Sequence, residues 1–257
     1  MTSVFVRILF FSLFMLLPTV MRSQSLLPAD TLRLMTYNIR NTMGMDGTSV
    51  NLERVAMVIR RYHPDVVAIQ EVDSMTERSG RKPILNELAR LTFMHGEFAP
   101  AINFDGGKYG IGILSRNQPL SVCHYPLPGN EEARCILVAE FTNFIFACTH
   151  LSLTESDRFA AMSIIQKIAC QAAKPFVLAG DFNDHPDSPL MEAWSNTFDV
   201  ISGTAHCTYP AYSPDELLDY ILLHRAGASG GRSVRTFVPN EPKASDHRPV
   251  IADVVFD

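Results

Sequence analysis

Pro175-Phe176-Val177-Leu178-Ala179-Gly180-Asp181-Phe182-Asn183 opens as an apolar run and closes on two polar side chains. Such a run, rich in β-forming residues, reads as a strand buried on both faces. In extended backbone Asp181 and Asn183 point to the same side, so the strand end delivers a carboxylate and an amide to one place. The Asp can accept a proton or aim a water, and the Asn amide can donate to a phosphoryl oxygen. A turn is the plainer reading of Gly180 to Asp184, but the long apolar lead-in weighs against it.

The same pattern recurs along the chain. Asn38 follows Leu32-Arg33-Leu34-Met35-Thr36-Tyr37, and Glu71 follows Val66-Val67-Ala68-Ile69-Gln70. His150 ends Asn143-Phe144-Ile145-Phe146-Ala147-Cys148-Thr149, while Asp246-His247 precedes the apolar residues from Val250. Hard divalent cations such as Mg²⁺ take one or two protein carboxylates plus waters and phosphate oxygens. Glu71 is the first candidate ligand, with Asn38 beside it and Asp246 as a second carboxylate. Asp219 lies inside Leu218-Asp219-Tyr220-Ile221-Leu222. A carboxylate there costs several kcal/mol unless it is paired, and orienting an imidazole would supply the pair. His150 and His247 are the candidates for acid–base work and charge stabilisation. The residues alone do not divide the labour between them.

Alternation and short β-rich runs predict strands at 32–39, 65–72, 97–104, 109–115, 119–126, 134–141, 143–150, 175–182, 218–223, 234–238 and 248–256. Helices are predicted at 51–62, 156–171 and 188–195, the second opened by a capping box, Thr154-x-x-Asp157. Strands with a few interspersed helices imply an α/β sandwich: two mixed sheets packed face to face with helices outside.

Tyr37-Asn38, Gln70-Glu71, Thr149-His150-Leu151, Gly180-Asp181-Phe182-Asn183, Leu218-Asp219-Tyr220 and Ser245-Asp246-His247 resemble, in order, the motifs of the endonuclease/exonuclease/phosphatase superfamily. The resemblance spans nearly all of residues 26–257. It implies phosphoester hydrolysis with Mg²⁺ (or Mn²⁺) on Glu71, assisted by Asn38 and Asp246. It also implies Asp181 activating water, Asn183 holding that water or a phosphoryl oxygen, and His150 and His247 stabilising the transition state, with Asp219 orienting His247.

Bulk properties narrow the rest. Arg7 followed by the apolar run Ile8 to Val20, with Ser23 and Ser25 flanking Gln24, reads as a signal peptide over 1–25. That makes the protein secreted or periplasmic, with a single domain over 26–257 and no stable membrane insertion. Without residues 1–25, which hold Arg7 and Arg22, 20 basic residues face 27 acidic ones, a net −7. A basic nucleic-acid footprint is therefore missing. A small or lipid-derived phosphoester is the favoured substrate, nucleic acid a disfavoured one, and a monomer is expected. A secreted DNA/RNA endonuclease and a non-catalytic binding module are the competing readings. Arg78, with Arg81 and Lys82, is the candidate contact for a second phosphate. Cys123 and Cys135 could face each other across a hairpin, though buried free thiols are favoured.

Overall fold

The computed structural model describes residues 28, 30–45, 51–225 and 231–256; the expected signal peptide lies outside the described residues. The elements run β1 (Leu32–Asn38), α1 (Leu52–Tyr62), β2 (Val66–Ser74), α2 (Ile84–Thr92), β3 (His95–Phe104), β4 (Gly107–Ser115) and β5 (Ser121–Leu127). They continue with β6 (Arg134–Glu140), β7 (Ile145–His150), α3 (Glu155–Cys170), β8 (Phe176–Asp181), α4 (Pro189–Trp194), β9 (Phe198–Val200), β10 (Asp219–His224), β11 (Gly231–Phe237) and β12 (Val250–Phe256).

Two six-stranded sheets result, ordered β11-β12-β1-β2-β4-β3 and β5-β6-β7-β8-β10-β9. Each carries one parallel pair, β1/β2 or β7/β8, among antiparallel neighbours. Parallel neighbours need a crossover, and α1 and α3 supply it. The two parallel pairs therefore end at the same kind of strand end, where the polar residues sit.

Burial on both faces explains the unbroken apolar runs. Val177 and Ala179 of β8 face Leu34, Ala68, Ile113 and Ala252 of the other sheet in the central core. Phe176 and Leu178 turn outward against Ala161 and Ile165 of α3 and Trp194 of α4. On the other flank Met35 and Tyr37 of β1 meet Val55 and Ile59 of α1 and Leu88 of α2. The layers are thus helix, sheet, sheet, helix, as the sequence implied. Asn51 caps α1 by accepting the Arg54 N–H at 3.1 Å.

Three local expectations are corrected. Asp157 does not close a capping box: its carboxylate accepts the Asn130 backbone N–H at 2.6 Å and the Asn130 side-chain amide at 2.9 Å, tying α3 to the β5–β6 loop. Cys123 and Cys135 do not oppose each other, because the register sets Cys123 against Val138 and Cys135 against Pro126. All five cysteines are free, and Cys123 is exposed. Helix α2 and strand β9 were not anticipated. Among the described residues no helix is long and apolar enough to cross a membrane.

Candidate active site

The register of the second sheet places three candidates in one row. His150, the last residue of β7, is opposite Asp181, the last of β8, and Asp181 is opposite Asp219, the first of β10. In the first sheet Asn38 ends β1 opposite Gln70. The next residue, Glu71, sits where the β2–β4 register slips, with φ at +59°. A bulge with left-handed backbone re-aims its side chain at a small energetic cost. Asp246 and His247 lie on the loop entering β12, held by the Ser245 hydroxyl, which donates to the Asn38 carbonyl at 2.7 Å.

The hub is Asp181, 1% exposed. Its Oδ2 accepts from Asn38 Nδ2 at 3.0 Å and lies 3.5 Å from His150 Nε2 and 3.7 Å from His247 Nε2. Its Oδ1 accepts the Asn183 backbone N–H at 2.9 Å. Asn38 Nδ2 also donates to Glu71 Oε1 at 3.0 Å, while its Oδ1 accepts the Arg40 N–H at 3.1 Å. That backbone bond fixes the amide with its nitrogen toward the carboxylates. In this orientation Asn38 positions Glu71 and Asp181 instead of adding an oxygen ligand.

Asp219 is fully buried and meets His247 Nδ1 through Oδ2 at 2.8 Å, while the Thr208 hydroxyl donates to the same oxygen at 2.6 Å. The pairing demanded by a carboxylate in an apolar strand is therefore present. Burial lowers the pKa of the His247 imidazole, but the charges of Asp219 and Asp181 outweigh it and raise the value to about 10. Burial of His150 is only partly offset by Asp181, and its pKa falls to about 4. At neutral pH one imidazole is a cation and the other is neutral, a difference no spacing in the sequence reveals.

Glu71, His150, Asp181, Asp246 and His247 line a cleft of about 500 Å³ together with Tyr109, Glu132, Arg134, Leu153, His185, Tyr209, Glu216 and Leu218, with Asn38 and Asp219 behind them. Asn183 reaches the cleft, although its side-chain amide donates to the Leu151 carbonyl at 2.8 Å. Arg78 does not line the cleft, which corrects the expectation that it meets a second phosphate there. Its Nε and Nη2 are taken by buried Asp73 at 2.7 and 2.8 Å, and its guanidinium packs 4.4 Å from the centre of the Phe104 ring. A buried carboxylate claims the nearest cation before any ligand can.

Sequence reasoning missed Arg134, 7% exposed at the head of β6 and paired with Glu131 and Glu132. Arg134 opens its apolar stretch, Cys135 to Ala139, whereas Asn38 and Glu71 close theirs, so the signal that picked out those two passed it by. Thr208 and Tyr209, whose ring centre lies 4.9 Å from that of His247, sit in an irregular loop that gave no such signal.

A metal fits the donor chemistry. Glu71 has its pKa raised, first by burial and then by the charges of Asp246 and Asp181. Crowded oxygen donors of this kind are what a hard divalent cation neutralises. The tightest group of ligand-type atoms among the described residues is instead Asp181, Asp219 and His247, within 4.8 Å of one another. There the direct His247–Asp219 hydrogen bond leaves no gap for an ion, so it reads as an acid–base set.

The family model described as "Endonuclease/Exonuclease/phosphatase family" matches residues 35–247. No curated protein matches the chain. Among solved structures, it is similar to an endonuclease/exonuclease/phosphatase from Beutenbergia cavernae DSM 12333 (23% identity, TM-score 0.71, covering 88% of this chain and 72% of that one). It is also similar to a mannosyl-6-phosphatase from Bacteroides thetaiotaomicron VPI-5482 (16%, TM-score 0.66, 88% and 100%). The human Nocturnin catalytic domain with bound sulfate is a third (18%, TM-score 0.66, 89% and 95%). With the family match spanning every motif from the end of β1 to His247, the chain belongs to the endonuclease/exonuclease/phosphatase family.

Proposed function

We propose that the protein is an exported, divalent-metal-dependent hydrolase of a small or lipid-derived phosphoester. The observation that carries this reading is the sharing of Asp181 Oδ2 by Asn38, His150 and His247 at the wall of one cleft. Asp181, held by Asn38 and by the Asn183 N–H, orients a water and takes its proton. Protonated His247, fixed by Asp219, offers positive charge to the phosphoryl oxygens as negative charge builds on them. Neutral His150 presents a hydrogen bond beside them. Glu71 and Asp246 would hold the metal, with Asn38 aligning Glu71. When bound, Mg²⁺ or Mn²⁺ supplies Lewis-acid stabilisation of phosphoryl charge.

A mannosyl-6-phosphatase of the same fold supports the choice of a small phosphoester. Acidic Glu132 and Glu216 in the cleft walls disfavour a polyanion such as DNA. The test is hydrolysis of bis(p-nitrophenyl) phosphate and p-nitrophenyl phosphate by the purified protein. Chelator should abolish it, Mg²⁺ or Mn²⁺ should restore it, and Glu71→Ala should remove both activity and metal response. Chelator-resistant turnover would sink the metal assignment.

A further inference from the structure

The cleft extends beyond the groups that serve the phosphate. Its volume of about 500 Å³ lies within the roughly 300–1,000 Å³ of small-molecule sites. Tyr209, Leu153, His185, Glu216, Glu132 and Arg134 line the remainder. Tyr209 and Leu153 are apolar surfaces, Leu153 being 66% exposed. Glu132 and Glu216 are hydrogen-bond acceptors, each braced by a basic partner. Glu132 is 3.0 Å from Arg134 Nη1, and Glu216 is 3.6 Å from His185 Nε2. The Arg134 Nε is buried and has no acceptor among the described residues.

Each alternative leaving group meets an obstacle here. An acyl chain would bury carboxylates against hydrocarbon, which is costly. A second phosphate would face two more carboxylates, and both Nη atoms of Arg134 are already taken by Glu131 and Glu132. A group with hydroxyl donors on its edge and C–H on its face satisfies both kinds of wall. Carboxylates accept from hydroxyls, and a tyrosine ring packs against an aliphatic face.

We propose that this part of the cleft is a subsite for a hydroxylated ring, a sugar or cyclitol carrying a single phosphate. The subsite rests on the phosphohydrolase reading for its orientation. A site built to hydrogen-bond hydroxyls rejects analogues that lack them, because its polar groups are then left unpaired.

The experiment is calorimetric binding, with Mg²⁺, of two non-hydrolysable probes: the methylene phosphonate analogue of glucose 6-phosphate and butylphosphonate. The wild type should bind the sugar phosphonate about tenfold tighter or more, a difference of roughly 1.4 kcal/mol. Glu216→Ala removes a half-exposed rim side chain and should reduce that preference several-fold. Equal affinities, no binding of either probe, a preference untouched by Glu216→Ala, or tighter binding of thymidylyl-thymidine would each overturn the subsite. Turnover of p-nitrophenyl phosphate by the same preparation, read separately, reports whether the phosphohydrolase reading itself stands.

Discussion

Asp219 reaches His247 through one oxygen, so each single substitution already removes what the pair does. Asp219→Asn and His247→Ala should each lower kcat by about 10²–10⁴. The double variant should lose little more than the worse single one; steady-state kinetics showing additive losses would separate the two residues. His150 gives a cleaner readout in stability. Its folded pKa of about 4 is below the unfolded value of 6.5, so between those pH values the unfolded chain binds more protons. Stability should therefore fall as pH drops from about 6.5 to 4, by on the order of 3 kcal/mol in full. The raised pKa of His247 leaves it protonated in both states across that window, so it does not interfere. Denaturant melts of wild type and His150→Gln at pH 6 and pH 4.5 check this, and the variant should lose much of the difference. At this scale the sequence was legible wherever a polar residue closed an apolar run. Arg78 was misread because its partner Asp73 is itself buried, and nothing in the local sequence announces that.

Strands β7 and β8 approach closely at Gly180, where a methyl group would collide with the carbonyl oxygen of Thr149. Gly180→Ala should spread the pair that sets His150 against Asp181. Overpacking of this sort costs about 1–3 kcal/mol, and activity should fall further than stability does. Urea melts beside kinetics decide it; full activity in a destabilised variant would show that the strand pair tolerates the shift. Most elements could be read from the sequence because buried strands are long apolar runs and α1 shows one apolar face. Helix α2 escaped although Ile84, Leu85 and Leu88 mark its buried face. Arg81 and Lys82 just before it read only as ligand contacts, and the segment beyond them carries no predicted element. Strand β9, three residues long, is too short to show any period.

Across the whole molecule the acidic balance and the acidic cleft walls point the same way. Plasmid DNA should be degraded far more slowly than small phosphoesters under equal Mg²⁺, and efficient plasmid cleavage with no turnover of the others would favour a nuclease. The exported protein should begin near Gln24 to Leu26, as N-terminal sequencing would show; full-length chain recovered from membranes would favour an anchor. The two mixed sheets and their layers were anticipated, but strand order, and with it the position of β12, was not, since pairing order leaves no trace in local patterning. This strand, last in the order, lies between β11 and β1, and Leu32 pairs with Val254. Contacts so distant along the chain form late, after a large loop has closed. Asp246 and His247 ride into place on the approach to β12. A chain still emerging from the ribosome thus has no assembled catalytic centre. The centre is completed only when the final strand docks beside β1, so a chain cut short before Asp246 would carry every other catalytic candidate and still lack the site.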